Sequence, residues 1–392
     1  MLNLIMLNLA NNNLFGRLFD FIGGICDHGG RPRTLHLQNN NFIGGLPKSL
    51  MNCSSLKVLD LGENKLSGRI PTWIGTSLPD LVVLRLPSNL FIGRMPLQLC
   101  HLTSLQILDL SPNNITGTIP LCLSNFTAMA QKQNSDVSIS YPYTSVQNID
   151  EFSSSTSNYF DHTLVIIKGK YLEYKKTLGL VKIINLSSNR LKGEIPGEIS
   201  SLSRLIGLNI SKNLLSGIIP WSIGDLDRLE SLDLSRNHLS GIIPPSLASL
   251  SFLSYLNLSN NNLSSRIPTG TQLQSFSGST YSGNLYLCGL PLPKRCLGDE
   301  AIPIPSPKVG GKQEDGNIQA HASIEPLWFY TGIAFGFVSG FWGVCGLFLL
   351  KPSWRHAYYR LLDRIGDRLY VAIANNKAKL LRNFKTRCQR GL

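Results

Sequence analysis

Histidine and cysteine are the residue types of this 392-residue chain that could support chemistry. The seven histidines are scattered, and the sequence has no HExxH motif, no zinc-type histidine and cysteine spacing and no glycine-rich phosphate loop. These features predict a protein without catalytic residues, metal or cofactor. His36 falls on a predicted strand face, where we interpret it as a surface contact and not as a metal ligand.

Six of the eight cysteines predict disulfide bonds, which form in oxidising compartments. The short loop LCGLPLPKRC holds one pair, and the other two pairs recur at similar places in neighbouring segments, where they could cross-link them. The expected pairs are Cys288 with Cys296, Cys26 with Cys53, and Cys100 with Cys122.

Glycosylation is the second modification that the sequence predicts. Asn-x-Ser/Thr acceptor sequences occur at Asn52, Asn114, Asn125, Asn185, Asn209, Asn257 and Asn262. Three of them, at Asn185, Asn209 and Asn257, belong to a repeated strand sequence, so repetition inflates their number. Glycans are therefore most strongly expected at the non-repeated Asn52, Asn125 and Asn262, and their presence predicts an extracellular location.

A repeat of 24 residues positions these side chains. Asparagine returns in the frame LxxLxLxxNxLxGxIP at Asn40, Asn64, Asn89, Asn113, Asn189, Asn213, Asn237 and Asn261. This period and leucine frame are those of the leucine-rich repeat, in which each turn adds one strand to a parallel sheet. The sequence therefore predicts an α/β solenoid, a right-handed superhelix with a parallel concave β-sheet. The asparagines are expected to form a hydrogen-bonded ladder that ends at Asn261.

The concave face of such a solenoid is the default binding surface. Residues between the inward leucines point to that face, because neighbours on a strand point in opposite directions. The residues predicted to contact a ligand are His36, Arg85, Asp109 and Tyr255.

An insertion interrupts the repeats after Asn113. The next ladder residue, Asn189, follows 76 residues later instead of 24, so about 52 residues have been inserted, which we place at 125–176. The part from Ala128 to Asp161 predicts a surface loop, whereas LVIIKGKYLEYKKTLGL alternates apolar and polar residues and predicts strands packed back on the sheet.

Charge and hydropathy set the C-terminal part apart from the repeats. Of the formal charge of +13, residues 351–392 carry +9, from 11 Lys or Arg and two Asp. The 24 uncharged residues from Leu327 to Leu350 are long enough to span a membrane. The basic flank predicts a single-pass plasma-membrane protein with extracellular repeats and a cytoplasmic tail. One face of the span, formed by Gly332, Gly336, Gly340 and Gly343, predicts close pairing with another membrane helix.

The order of these parts resembles the plant receptor-like proteins that lack a kinase, especially the receptors for fungal ethylene-inducing xylanase. The resemblance is carried by NYFDHTLVIIKGKYLEYKKTLGLV, YSGNLYLCGLPLPKRC and GFWGVCGLFLLKPSWRHAYYRLLDRIGDRLY. It implies a cell-surface receptor in plant defence that recognises an extracellular protein or peptide. It also implies two partners, an adaptor receptor-like kinase bound through the membrane span and a co-receptor kinase. The family's Lys-x5-Tyr pattern for co-receptor recruitment falls on Lys168 and Tyr174.

The expected organisation is leucine-rich repeats at 1–124 and 177–270, an island at 125–176, a cysteine cap at 271–298, an acidic juxtamembrane segment at 299–326, a transmembrane helix at 327–350 and a basic tail at 351–392. The sequence starts within a repeat and without a signal peptide, so we expect a truncated product. A developmental peptide co-receptor and a non-signalling decoy are the alternative functions. The membrane span argues against a secreted polygalacturonase inhibitor, and no nucleic acid partner is expected.

Overall fold

The computed structural model describes residues 4–18, 22, 24–26, 30–131, 140–146, 154–175 and 177–297. These residues form a solenoid of stacked repeats, which confirms the prediction from the 24-residue period. Each repeat supplies one strand to a concave sheet, a second strand on another side, and a short helical turn.

The concave sheet contains nine parallel strands among the described residues. Neighbouring strands pair one repeat apart, so that Leu59 lies beside Leu84 and Leu84 beside Leu108. Ile183 pairs with Ile107, so the sheet continues across the insertion. The strands are Met6–Asn8, Thr34–His36, Val58–Asp60, Val83–Arg85, Ile107–Asp109, Ile183–Asn185, Gly207–Asn209, Ser231–Asp233 and Tyr255–Asn257.

A second parallel sheet follows the ladder asparagines. Its strands are Phe15–Arg17, Asn41–Gly44, Lys65–Arg69, Leu90–Arg94, Asn114–Gly117, Arg190–Gly193 and Leu214–Leu215. A bridge from Ile218 to Ser240 leads to three further strands, Ser240–Ile242, Asn262–Arg266 and Tyr286–Cys288.

Short helices lie between the second strand of one repeat and the concave strand of the next. Most begin directly after the proline of the Ile-Pro position, whose extended backbone and missing N–H donor end the preceding segment. The 3-10 turns are Lys48–Asn52, Leu97–His101, Leu121–Asn125, Leu178–Leu180, Gly197–Ser201, Trp221–Asp225, Pro245–Ser249 and Gly278–Thr280. The α-helical turns are Trp73–Ser77, Thr127–Ala130 and Thr271–Ser275.

Buried asparagines connect each repeat to the next. The Asn89 amide donates to the carbonyl oxygens of Leu61 at 3.0 Å and Leu86 at 3.3 Å, and its oxygen accepts from the Leu66 N–H at 2.9 Å. These bonds satisfy backbone groups at the point where the chain bends away from the concave strand, and those groups would otherwise be buried without partners. The same arrangement holds at Asn40, Asn64, Asn113, Asn189, Asn213, Asn237 and Asn261.

The sequence predicted that the ladder ends at Asn261, and this prediction is wrong, because Asn284 continues it. Asn284 donates to the Leu258 carbonyl and accepts from the Leu263 N–H, both at 3.0 Å. The core continues with it, because the fully buried Tyr281 ring joins the leucine core and its hydroxyl donates to the Leu273 carbonyl at 2.7 Å. The leucine frame does not mark this turn, because Phe276, Ser279 and Tyr281 take the places of its three leucines.

The insertion forms two antiparallel hairpins. Ser140–Val146 pairs with Ser154–Phe160, and Thr163–Ile167 pairs with Lys170–Tyr174. The prediction of strands in the second part is confirmed, whereas the prediction of a loop from Ala128 to Asp161 is wrong over the first hairpin. Two segments rich in Ser, Thr and Tyr pair with each other there, so no apolar alternation marks them as strands.

Three disulfide bonds are present among the described residues. They join Cys26 to Cys53, Cys100 to Cys122 and Cys288 to Cys296, the pairs expected from the sequence. The first two link neighbouring repeats. No helix within the described residues is both long enough and apolar enough to cross a bilayer. The expected span at 327–350, its four glycines and the basic tail lie outside the described residues.

Candidate ligand-binding site

Two columns of side chains cover the concave sheet from its second strand onward, one from the first and one from the third residue of each strand. The first column reads Thr34, Val58, Val83, Ile107, Ile183, Gly207, Ser231 and Tyr255. The second column is polar throughout and reads His36, Asp60, Arg85, Asp109, Asn185, Asn209, Asp233 and Asn257. The insertion packs over part of this surface and leaves another part open.

The second hairpin, Thr163–Tyr174, rests on the apolar part of the first column. Val165 and Ile167 are buried with Val83, Ile107 and Ile183 in a cluster separate from the leucine core. The turn at Lys168 and Gly169 has positive φ at both residues, 53° and 69°, as a two-residue type I′ hairpin turn requires. The hairpin is therefore a well-defined element held on the sheet by burial of its apolar face.

Asp161 fastens the start of this hairpin to the first strands of the sheet. Its carboxylate accepts from the Thr34 hydroxyl and from His36 Nε2, each at 2.7 Å, and from the His162 N–H at 2.8 Å. The Tyr141 hydroxyl lies 3.0 Å from that of Thr34. Burial, reinforced by the Asp161 carboxylate, raises the pKa of Tyr141 to about 12, so this hydroxyl keeps its proton. We call this group the Asp161 anchor.

The predicted surface contact at His36 is wrong. The side chains of His36 and Asp161 are both 0% exposed, because the insertion covers this end of the concave face. The frame places His36 on the correct face, but it contains no information about what packs there. Asp161 was not singled out from the sequence, and no motif around it would have identified it.

A second polar contact holds the hairpin tip. The Lys168 N–H donates to the Ser231 hydroxyl at 3.1 Å, and its ammonium lies 2.7 Å from a Glu230 carboxylate oxygen. Both charged side chains are 39% exposed, so this ion pair is solvent-screened and contributes little to stability. Tyr174 lies at the opposite end of the hairpin, paired with Thr163, and is half-buried. The two residues of the Lys-x5-Tyr pattern are thus not brought together.

Arg85 and Asp109 bind each other and Asp60 in a buried cluster. The Arg85 guanidinium donates to Asp60 and lies 3.8 Å from an Asp109 oxygen. Burial alone would lower the pKa of Arg85, but the Asp60 and Asp109 carboxylates outweigh it and raise that pKa. Burial raises the pKa of Asp109, although Arg85 and Ser111 act in the opposite direction. The prediction of free contact residues is therefore wrong, since Arg85 is 5% and Asp109 is 3% exposed.

The open part of the concave face is a polar groove that begins at Ser111 and Pro112 of the last repeat before the insertion and extends over the repeats that follow it. It has a volume of about 390 Å³. Ile166 of the hairpin lies at one border, and Tyr255 lies beside the hairpin tip. We call this surface the C-terminal groove, and its floor and rim are formed by Asn209, Ser211, Lys212, Asp233, Ser235, Arg236, Asn257, Ser259 and Asn260.

Hydrogen bonds within each repeat hold the groove's side chains in place. Asp233 accepts from the Ser235 N–H at 3.0 Å and from its hydroxyl at 2.6 Å, and Asn209 and Ser211 repeat this arrangement at 3.1 and 2.7 Å. The Tyr255 hydroxyl donates to Asp233 at 3.3 Å, and burial raises the pKa of Tyr255. Polar groups that recur once per strand, about 4.8 Å apart, fit an extended polar ligand with little loss of side-chain entropy.

The predicted glycosylation residues differ in exposure. Asn52, Asn114, Asn125 and Asn262 are exposed. Asn185 is only 1% exposed, so the prediction of a glycan at this residue is wrong for the folded chain. Asn209 and Asn257 are half-buried and line the C-terminal groove, where glycans would compete with a ligand.

Comparisons with known proteins agree with the repeat fold. Two family models, both described as leucine rich repeat, match the chain, one at residues 179–239 and 207–263 and the other at 31–53, 55–77 and 104–126. Receptor-like protein EIX2 from Solanum lycopersicum is 52% identical over 336 residues, which are 85% of this chain and 32% of that protein. The chain spans about a third of the length of the curated relatives that it matches first.

Two solved structures from Arabidopsis share the fold. One is the ectodomain of the membrane receptor kinase GASSHO1/SCHENGEN3 in complex with CASPARIAN STRIP INTEGRITY FACTOR 2, with a TM-score of 0.53 and 29% identity over 75% of this chain and 31% of that one. The other is the receptor kinase HAESA in complex with the peptide hormone IDA and the co-receptor SERK1. Its TM-score is 0.53, and it is 26% identical over 75% of this chain and 44% of that one.

Proposed function

Because this chain belongs to the leucine-rich-repeat receptor-like proteins of plants, we propose that it acts as a cell-surface receptor in plant defence. Its ligand is an extracellular, pathogen-derived protein or peptide. The receptor has no catalytic step of its own, and its signal passes through partner kinases.

The C-terminal groove is the observation that carries this proposal. Its polar side chains are fixed by bonds within each repeat, and it remains open although the insertion covers the earlier part of the same face. A preorganised surface of this kind binds an extended chain with little entropic cost. HAESA, which has the same fold, is bound to a peptide hormone and a co-receptor in its structure.

The second hairpin supplies the contact with a co-receptor kinase. Lys168 and Tyr174 stand at its two ends, five residue pairs apart, so a partner must lie along the hairpin to contact both. The Lys168 ammonium is already paired with Glu230, and a partner carboxylate would have to replace or share that contact. An adaptor kinase pairs with the predicted membrane span through Gly332, Gly336, Gly340 and Gly343, which lie outside the described residues.

Binding of fungal ethylene-inducing xylanase to the purified full chain tests the proposal. The variant Lys212→Glu with Arg236→Glu reverses two exposed charges on the rim of the C-terminal groove. We expect it to weaken binding by about tenfold, because two contacts of up to about 1 kcal/mol are lost. The control, Lys48→Glu with Arg228→Glu, makes the same change in net charge at exposed residues outside the groove and should bind normally. Equal affinities of the two double variants would overturn the proposal.

A further inference from the structure

An arginine row runs along the outer face of the second sheet in the repeats that precede the insertion. It consists of Arg17, Arg69 and Arg94, which occupy the same frame position, between glycine and the Ile-Pro site, and are all exposed. We propose that this row binds a linear carboxylated polysaccharide, a polyuronate, and so holds the extracellular repeats to an acidic wall polymer. This surface is separate from the C-terminal groove and goes beyond the proposed function.

The glycine of the following repeat makes room for the stems of Arg69 and Arg94. A Cβ atom on Gly117 would lie only 2.8 Å from Arg94 Cγ, and one on Gly93 would lie 3.1 Å from Arg69 Cγ. These glycines also have φ of +88° and +83°, which other residues rarely adopt. The stems of Arg69 and Arg94 therefore lie across the bare backbone of the next repeat in the same way.

Charge on this face is of one sign. The outward positions of the five strands from Phe15–Arg17 to Asn114–Gly117 hold Lys65 and the arginine row, but no carboxylate. None of these four cations forms an ion pair with another described residue. After the insertion the equivalent positions are Glu194, Ile218, Ile242 and Arg266, so one carboxylate and two apolar side chains interrupt the positive charge there. A cationic surface of this kind attracts a polyanion.

The spacing and the neighbouring side chains favour a polyuronate over other polyanions. Adjacent strands are about 4.8 Å apart, and Arg69 pairs with Ile92, two residues before Arg94, so the arginines follow a diagonal line across the strands. A polymer with one carboxylate on each sugar also carries its charges along a line at regular intervals. Guanidinium binds carboxylate through two parallel hydrogen bonds. Exposed apolar side chains share this face, with Phe15 84%, Leu90 52% and Ile92 51% exposed, and they suit the apolar faces of sugar rings.

Retention of the purified full chain on immobilised polygalacturonate tests this inference. We expect salt-sensitive binding that is lost when the polymer's carboxylates are methyl-esterified, because the sugar chain is kept and only its charge is removed. The variant Arg69→Glu with Arg94→Glu should bind at least about tenfold more weakly. The variant Lys48→Glu with Arg228→Glu has the same net charge and should bind as the unmodified chain does.

Three results would overturn the inference. These are retention that survives methyl esterification, equal retention of the two double variants, and equal retention on a DNA column, which would indicate unspecific attraction to any polyanion. Arg69 and Arg94 are exposed and outside the core, so their double variant should unfold at the temperature of the parent chain. Arg228 lies over the Phe252 ring at 5.1 Å, so the control variant should lose at most about 1 kcal/mol and remain folded. The Arg69→Glu with Arg94→Glu variant should still bind xylanase, because the C-terminal groove is unchanged. Xylanase binding therefore tests the receptor proposal separately from this inference.

Discussion

Single side chains in this solenoid have roles that depend on what covers them. Asn89 and its equivalents satisfy backbone groups between repeats, whereas the third residue of each concave strand is polar but varies in type. Where the insertion does not cover it, as at Asn209, that residue lines a groove. Asp109 occupies the same position with a buried carboxyl group, whereas the next two repeats have the neutral amides of Asn185 and Asn209 there.

Replacing Asp109 with asparagine tests the effect of that buried charge on stability. Burial raises the pKa of Asp109 in the folded chain, so between its unfolded pKa of about 3.9 and its folded pKa the native state binds more protons. Stability contributed by this group is present below that window and falls as the pH rises through it. The stability of Asp109→Asn relative to the parent should therefore increase with pH across the window and then level off, as measured by thermal unfolding from pH 4 upward.

Asp109→Ala separates the charge from the hydrogen bonds. It should show the same dependence on pH, because it also removes the titrating carboxyl group. It should add a loss of about 1–3 kcal/mol at every pH, since the Ser111 N–H and hydroxyl lose their acceptor. A relative stability of Asp109→Asn that decreases with rising pH would contradict this account.

At the scale of elements, the repeats were predictable and the insertion only in part. The period gave the strands, the ladder and the length of the insertion, because each of these is a local property of the frame. The alternation in LVIIKGK also marked the second hairpin, whose Val165 and Ile167 are buried. The docking of that hairpin at Asp161 and Glu230 was not predictable, since both contacts join residues that are distant in sequence and belong to no repeated pattern.

The second hairpin is held at two places, by the Asp161 anchor and by the Lys168–Glu230 ion pair at its tip, and the first should contribute much more to stability than the second. Asp161→Ala leaves the buried side chains of Thr34 and His36 without their hydrogen-bond partner. Loss of a buried charged partner costs about 3 kcal/mol or more, which corresponds to a rise on the order of 100-fold in local opening of the hairpin. Lys168→Gln removes a solvent-screened pair worth under about 1 kcal/mol and should raise opening by less than about fivefold.

The rate of tryptic cleavage at Lys170 and Lys175 measures this opening, because proteolysis follows the population of the locally unfolded state. Far-UV circular dichroism of both variants checks that the repeats remain folded. If Lys168→Gln opens the hairpin more than Asp161→Ala does, the proposed ranking of the anchors is wrong.

For the whole molecule, the insertion divides one continuous concave sheet into a covered and an open region. His36 lies in the covered region, and Arg85 and Asp109 are buried as well. The sequence predicted all three as contacts because the repeat frame does not indicate which of its positions are buried. The open region contains the C-terminal groove and, beside it, Tyr255 and the hairpin tip. Ligand recognition and co-receptor recruitment are therefore proposed to occur side by side on one surface.

Site-specific photocrosslinking tests whether the ligand occupies the C-terminal groove. Benzoylphenylalanine is placed in the full chain either at Lys212, on the groove rim, or at Lys192, an exposed lysine on the outer face of the second sheet. Each protein is irradiated with fungal ethylene-inducing xylanase, and the adducts are mapped by mass spectrometry. The account predicts a xylanase adduct from position 212 and none from position 192. Adducts from position 192 alone, or equally from both positions, would contradict it.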